Sequence, residues 1–101
     1  MGGLQWTDEE LLTETGLLAA PAEPGIVLLQ RRAPSRRDRI TVVWAESAIN
    51  VRQRLLELWQ EPPPRIARLI ERNELSFRAA PAPVAATRGQ VLAHLLRQSM
   101  S

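Results

Sequence analysis

Ile40-Thr41-Val42-Val43-Trp44-Ala45-Glu46-Ser47-Ala48-Ile49-Asn50-Val51-Arg52-Gln53-Arg54-Leu55-Leu56-Glu57-Leu58-Trp59 reads as a strand that runs into a helix. Ile40 to Trp44 is β-branched and aromatic, the strongest strand signal in the chain. Asn50 is a helix cap, with Gln53 at the third helical position. Val51, Leu55, Leu58 and Trp59 then recur at i, i+4, i+7 and i+8, one apolar stripe that must face a core.

Working outward, Ile26 to Gln30 is a second strand signal. The polar stretch Arg31–Arg39 between the two strands has Pro34-Ser35 at its centre and makes them an antiparallel hairpin. After the helix, Pro62, Pro63 and Pro64 stop one helix and Pro64 opens the next. Ile66, Leu69 and Ile70 share a face of that second helix, and Asn73 ends it. Leu75 to Ala79 alternates as a third strand. Thr87 with Gln90 is a capping-box pattern that predicts a last helix, with Val91, Leu92, Leu95 and Leu96 inward. On the N-terminal side, Thr7 with Glu10 predicts a short helix ended by Gly16. Leu17 to Gly25, with Pro21 and Pro24, reads as an extended lead-in. The expected class is a small α/β (α+β) domain. It has a mostly antiparallel three-stranded sheet flanked by helices.

Composition sets the outer limits. At 101 residues there is room for one domain. The absence of cysteine excludes disulfides, a Cys-type zinc site and a thiol nucleophile. No apolar run is long enough to span a membrane. Met1 to Leu12 lacks a basic start and carries three acids, so a secretory leader is not expected and the cytoplasm is the expected compartment.

The 13 basic residues are all arginine and the net charge is only +2. Because the chain has no Lys, Tyr or Cys side chain, a small excess of arginine is enough to give a pI near 10.9. The distribution is more informative than the sum. Asp8, Glu9, Glu10, Glu14 and Glu23 make the first segment acidic, whereas Arg31, Arg32, Arg36, Arg37 and Arg39 crowd the hairpin around a single acid, Asp38. That density exceeds what solubility needs and points to phosphates or another acidic partner. The competing reading is a solvated loop that blunts a sheet edge. Arg52 is read as a solvated or stacked side chain, and His94 as a surface residue without a companion ligand.

Pro24-Gly25-Ile26-Val27 and the run Thr41 to Leu56 together resemble the GIY-YIG nuclease domain, over roughly residues 24–99. The element order matches, and so does the strand-to-helix passage ending in Arg52-Gln53-Arg54-Leu55. The resemblance implies a division into an acidic N-terminal helix and lead-in over 1–23 and a GIY-YIG-like domain over 24–101. It also implies which positions would carry chemistry. The first tyrosine of that family falls on Val27, the second on Trp44, and the following glycine on Glu46. The phosphate-facing arginine falls on Arg54, and the metal-binding glutamate on Leu92. Only the arginine is kept. Valine and indole cannot activate a water, and leucine cannot hold a hard cation. Glu46 is the one acid near the expected site and the sole candidate for a relocated metal ligand.

These departures argue against catalysis, and no cofactor is expected. The expected function is a non-catalytic binding module that contacts DNA or RNA through Arg31, Arg32, Arg36, Arg37 and Arg39, with Arg52 and Arg54 in support. A protein-interaction or structural subunit meeting an acidic protein is the alternative, and a divergent metal-dependent nuclease the third reading. The acidic segment carrying Trp6 is expected to be a separable interaction arm.

Overall fold

A computed structural model of the chain describes residues 5–32 and 40–100, with the backbone alone for 32, 40, 96 and 98–100. Its elements are β1 (Glu10–Leu11), a short 3-10 helix (Gly16–Ala19), β2 (Gly25–Arg32), β3 (Ile40–Ala48), α1 (Val51–Gln60), α2 (Pro64–Glu71), β4 (Leu75–Pro81) and α3 (Ala85–Met100). Among the described residues the strands form one antiparallel sheet in the order β1-β4-β2-β3. The sheet has four strands, not the expected three, because part of the predicted N-terminal helix is an edge strand instead.

β2 is the centre of the sheet and is buried on both faces. Val27 and Leu29 belong to one core, with Phe77 and Ala79 opposite them on β4. Ile26 and Leu28 point to the other face and are also buried. α1 and α2 cover the first face through Val51, Leu55, Leu58, Ile66 and Leu69. α3 lies on the second face, where Arg88 donates from Nε to Ser47 Oγ at 2.8 Å.

The β2–β3 register shifts between Leu29, opposite Trp44, and Gln30, opposite Val42. Val43 is the extra residue of a β-bulge, and it packs against the same core as Trp44. Gly25 marks a close approach of strands: a Cβ there would press on the carbonyl of Ala80. Asn50 caps α1 as expected, accepting from the Gln53 amide at 3.0 Å. Pro64 opens α2, and Asn73 takes a left-handed φ of 55° just beyond it. α3 starts at Ala85, so Thr87 lies inside the helix and not at its cap.

The N-terminal expectation needs the larger correction. Residues 7–12 are extended along β4, not helical. The Thr7 hydroxyl accepts from the Ala79 amide at 3.0 Å, and the Thr7 amide donates to the Ala79 carbonyl at 2.8 Å. The Leu12 amide donates to the Leu75 carbonyl at 3.0 Å, and the Ser76 hydroxyl donates to Glu9 at 2.6 Å. A helix of one or two turns has little stability of its own in water, and a free sheet edge offers each of these groups a partner. Leu12, Leu17 and Ala20 are buried in the main core. The segment is therefore part of the packed unit, not a separable arm.

Leu12→Ala or Leu17→Ala should each cost about 2–5 kcal/mol, and deletion of residues 1–16 should lower the melting temperature sharply or yield insoluble chain. Thermal unfolding checks this; a truncated chain that melts where the full chain does would restore the arm. Gly25→Ala, which presses on Ala80, should destabilise by about 1–3 kcal/mol in the same measurement.

Candidate nucleic-acid interface

The structure bonds together Trp44, Glu46 and Arg54, three of the positions that the resemblance singled out. Val27 and Glu46 are opposite each other across β2 and β3, and Leu29 and Trp44 are the next pair along on the same face. Glu46 Oε1 accepts from Trp44 Nε1 at 2.8 Å and from Arg54 Nε at 2.8 Å. Arg54 also reaches Glu57 from Nη1 at 3.3 Å. The strand period places Trp44 and Glu46 side by side, and the passage through Asn50 into α1 returns Arg54 above them. The hydrogen bond from Arg54 to Glu46 raises the Arg54 pKa, and partial burial opposes it.

This arrangement is a clasp between β3 and α1. Both donors fall on Oε1, which leaves Oε2 as the only Glu46 oxygen for any further donor or cation. Among the described residues no group of three acidic, histidine or cysteine side chains is placed to hold a metal. Val27 is fully buried, so its position has no access to water. Leu92 is carried by α3, which lies on the Ser47 side of the sheet, away from the side that Glu46 faces. The vestigial positions therefore do not converge on one open site.

Other arginines are also engaged internally. Arg52 donates from Nε to the Ala20 carbonyl at 2.9 Å and from Nη2 to the Leu18 carbonyl at 3.2 Å, fastening the 3-10 helix to α1. Arg78 donates to the Thr7 carbonyl at 3.0 Å. These bonds satisfy chain carbonyls that the irregular N-terminal segment leaves without a ladder partner.

The opposite end of the helical face is different. Arg31 lies at the hairpin end of β2 and pairs with Glu74 at 2.9 Å. Beside it, Arg65, Arg68 and Arg72 occupy i, i+3 and i+7 along α2, are exposed, and make no ion pair among the described residues. These four arginines line a groove of about 470 Å³, with Thr41, Val43 and Leu69 completing its wall and no carboxylate among the described residues of its lining. Arg32 continues β2 directly from this rim; its side chain lies outside the described residues, as do Arg36, Arg37 and Arg39.

Sequence reasoning named Arg31 and missed the α2 arginines. Their signal was present: the apolar positions Ile66, Leu69 and Ile70 fix one face of α2, and the arginine spacing fixes another. What it could not supply was the packing of α2 beside the hairpin end. In the acidic N-terminal segment, Glu9 Oε2 accepts from the Ser76 hydroxyl.

The clasp should be worth a modest amount, since the Arg54 and Glu46 side chains are 35% and 26% exposed. Glu46→Gln should cost about 1 kcal/mol. In a double-mutant cycle with Arg54→Gln it should show a coupling of about 0.5–1 kcal/mol. Chemical denaturation of the four chains checks this; strictly additive costs would mean that the pair does not interact in solution.

No helix of the described residues is long and apolar enough to cross a membrane. Comparison with family models, with curated proteins and with solved structures finds no match to this chain.

Proposed function

We propose that this chain is a non-catalytic module of GIY-YIG-like descent that binds nucleic acid through the arginines at the hairpin end of its sheet. One observation carries the reading: the arginines are sorted. Arg54, where the resemblance expects a phosphate contact, is held by Glu46 and Glu57. Arg65, Arg68 and Arg72 remain without ion pairs among the described residues, on a face that adjoins Arg31 and leads into the segment carrying Arg36, Arg37 and Arg39. Arginine presents a planar fork of donors suited to phosphate oxygens and sheds water more readily than lysine. Several unpaired guanidinium groups on one face favour a polyanion that neutralises them together. The loss of chemistry rests on the side chains at two of the vestigial positions: Val27 is buried and has no hydroxyl, and Leu92 has no oxygen to hold a cation.

Two measurements test this. Incubated with magnesium or manganese, the chain should leave plasmid, single-stranded and branched substrates uncut; cutting that copurifies with the protein and is lost in Glu46→Gln would restore the nuclease. In binding, log K should fall linearly with log salt. Replacing Arg36, Arg37 and Arg39 with Gln should reduce that slope by about 0.7–0.9 for each phosphate that is no longer neutralised. An unchanged slope would move the binding surface away from the hairpin. No binding at low salt by the unaltered chain would end the nucleic-acid reading in favour of a protein partner.

A further inference from the structure

The groove beside α2 has features that a plain phosphate contact does not use. We infer that it seats an unpaired nucleotide, so that the preferred ligand is a single strand and not a duplex; this rests on the nucleic-acid reading above. The groove is open to solvent and about 470 Å³ in volume, a size comparable to sites that take a small organic group. Its wall is apolar at Val43 and Leu69, the first half-buried and the second buried, and the exposed arginines stand around it.

A duplex presents its phosphates outward from a rod. Such a ligand would meet the rim and leave the apolar wall untouched. Its bases are paired and stacked, and bringing one into the groove would require breaking that pairing and stacking. A single strand has bases already free. One base can lie against Val43, over the buried Leu69, with a guanidinium plane on its other face. The phosphates on either side then fall to the remaining arginines, since Arg65 to Arg72 spans about 10 Å of helix.

The bulge at Val43 is what makes the wall. It turns Val43 onto the helical face beside Trp44, where a regular strand would have sent it to the α3 side. Thr41 supplies a hydroxyl able to donate or accept at a base edge or a sugar. Among the described residues no aromatic side chain lines the groove, so recognition rests on guanidinium stacking and shape and the expected sequence preference is weak.

Fluorescence anisotropy with the full chain at low salt tests the inference. The probes are a short single-stranded oligonucleotide, the same sequence as a duplex, an abasic strand of equal charge, and polyglutamate. The single strand should bind about tenfold more tightly than the duplex, and the abasic strand should lose that advantage while keeping its salt slope. The triple variant Arg65→Gln, Arg68→Gln, Arg72→Gln alters exposed residues and should stay folded by circular dichroism. It should abolish the single-strand preference. Equal affinity for the single strand and the duplex, an abasic strand that binds as well as the intact one, or a preference that survives the triple variant would overturn the nucleotide seat and leave nucleic-acid binding standing. Binding to neither nucleic acid would overturn both readings, and tight binding of polyglutamate alone would assign the groove to an acidic protein.

Discussion

The central strand β2 buries both of its faces, and the remaining elements are arranged by that demand. Val27 and Leu29 require one apolar layer, and Ile26 and Leu28 require another. α1, α2 and the N-terminal leucines supply the first, and α3 lies over the second. Once β2 is enclosed, the sheet position that the resemblance gives to a tyrosine is interior. Polar chemistry on the helical face is confined to its margins, where Glu46 and Arg54 meet at one end and Arg31 and the α2 arginines at the other.

The two margins use arginine in different ways. At the first, each charge has a partner and the guanidinium is a structural fastener. Arg52 and Arg78 serve similarly, donating to carbonyls of a segment too irregular to satisfy them itself. At the second, α2 exposes three arginines one and two turns apart, and the acids of the molecule leave them unpaired among the described residues. Like charges held this close repel one another, a cost that a bound polyanion removes. A net charge of +2 conceals the arrangement, because it averages fastened and free guanidinium groups.

Much of the fold was legible wherever local signals and tertiary packing agree. The strand from Ile40, the Asn50 cap, the stripe of α1, Pro64 at the start of α2 and Asn73 after its end all combine local preference with the right burial. The N-terminal segment was misread because its Thr7 and Glu10 pattern is satisfied by partners on β4, some seventy residues away, and sequence spacing does not reveal such a partner. The two-residue β1 is too short to leave a period. At the site, the sequence nominated Trp44, Glu46 and Arg54 as a group but not their mutual bonding. The bulge at Val43, which decides the wall of the groove, has no glycine or proline to announce it.

The central claim is that the arginines of this chain divide into fastened and free. The most direct measurement is the arginine side-chain Nε–Hε spectrum by NMR, recorded as a short oligonucleotide is added. The account predicts that the signals of Arg65, Arg68 and Arg72 shift progressively, while those of Arg52 and Arg54 stay in place. Shifts concentrated on Arg54, with the α2 arginines unmoved, would contradict it and return the phosphate contact to the face where the resemblance first placed it.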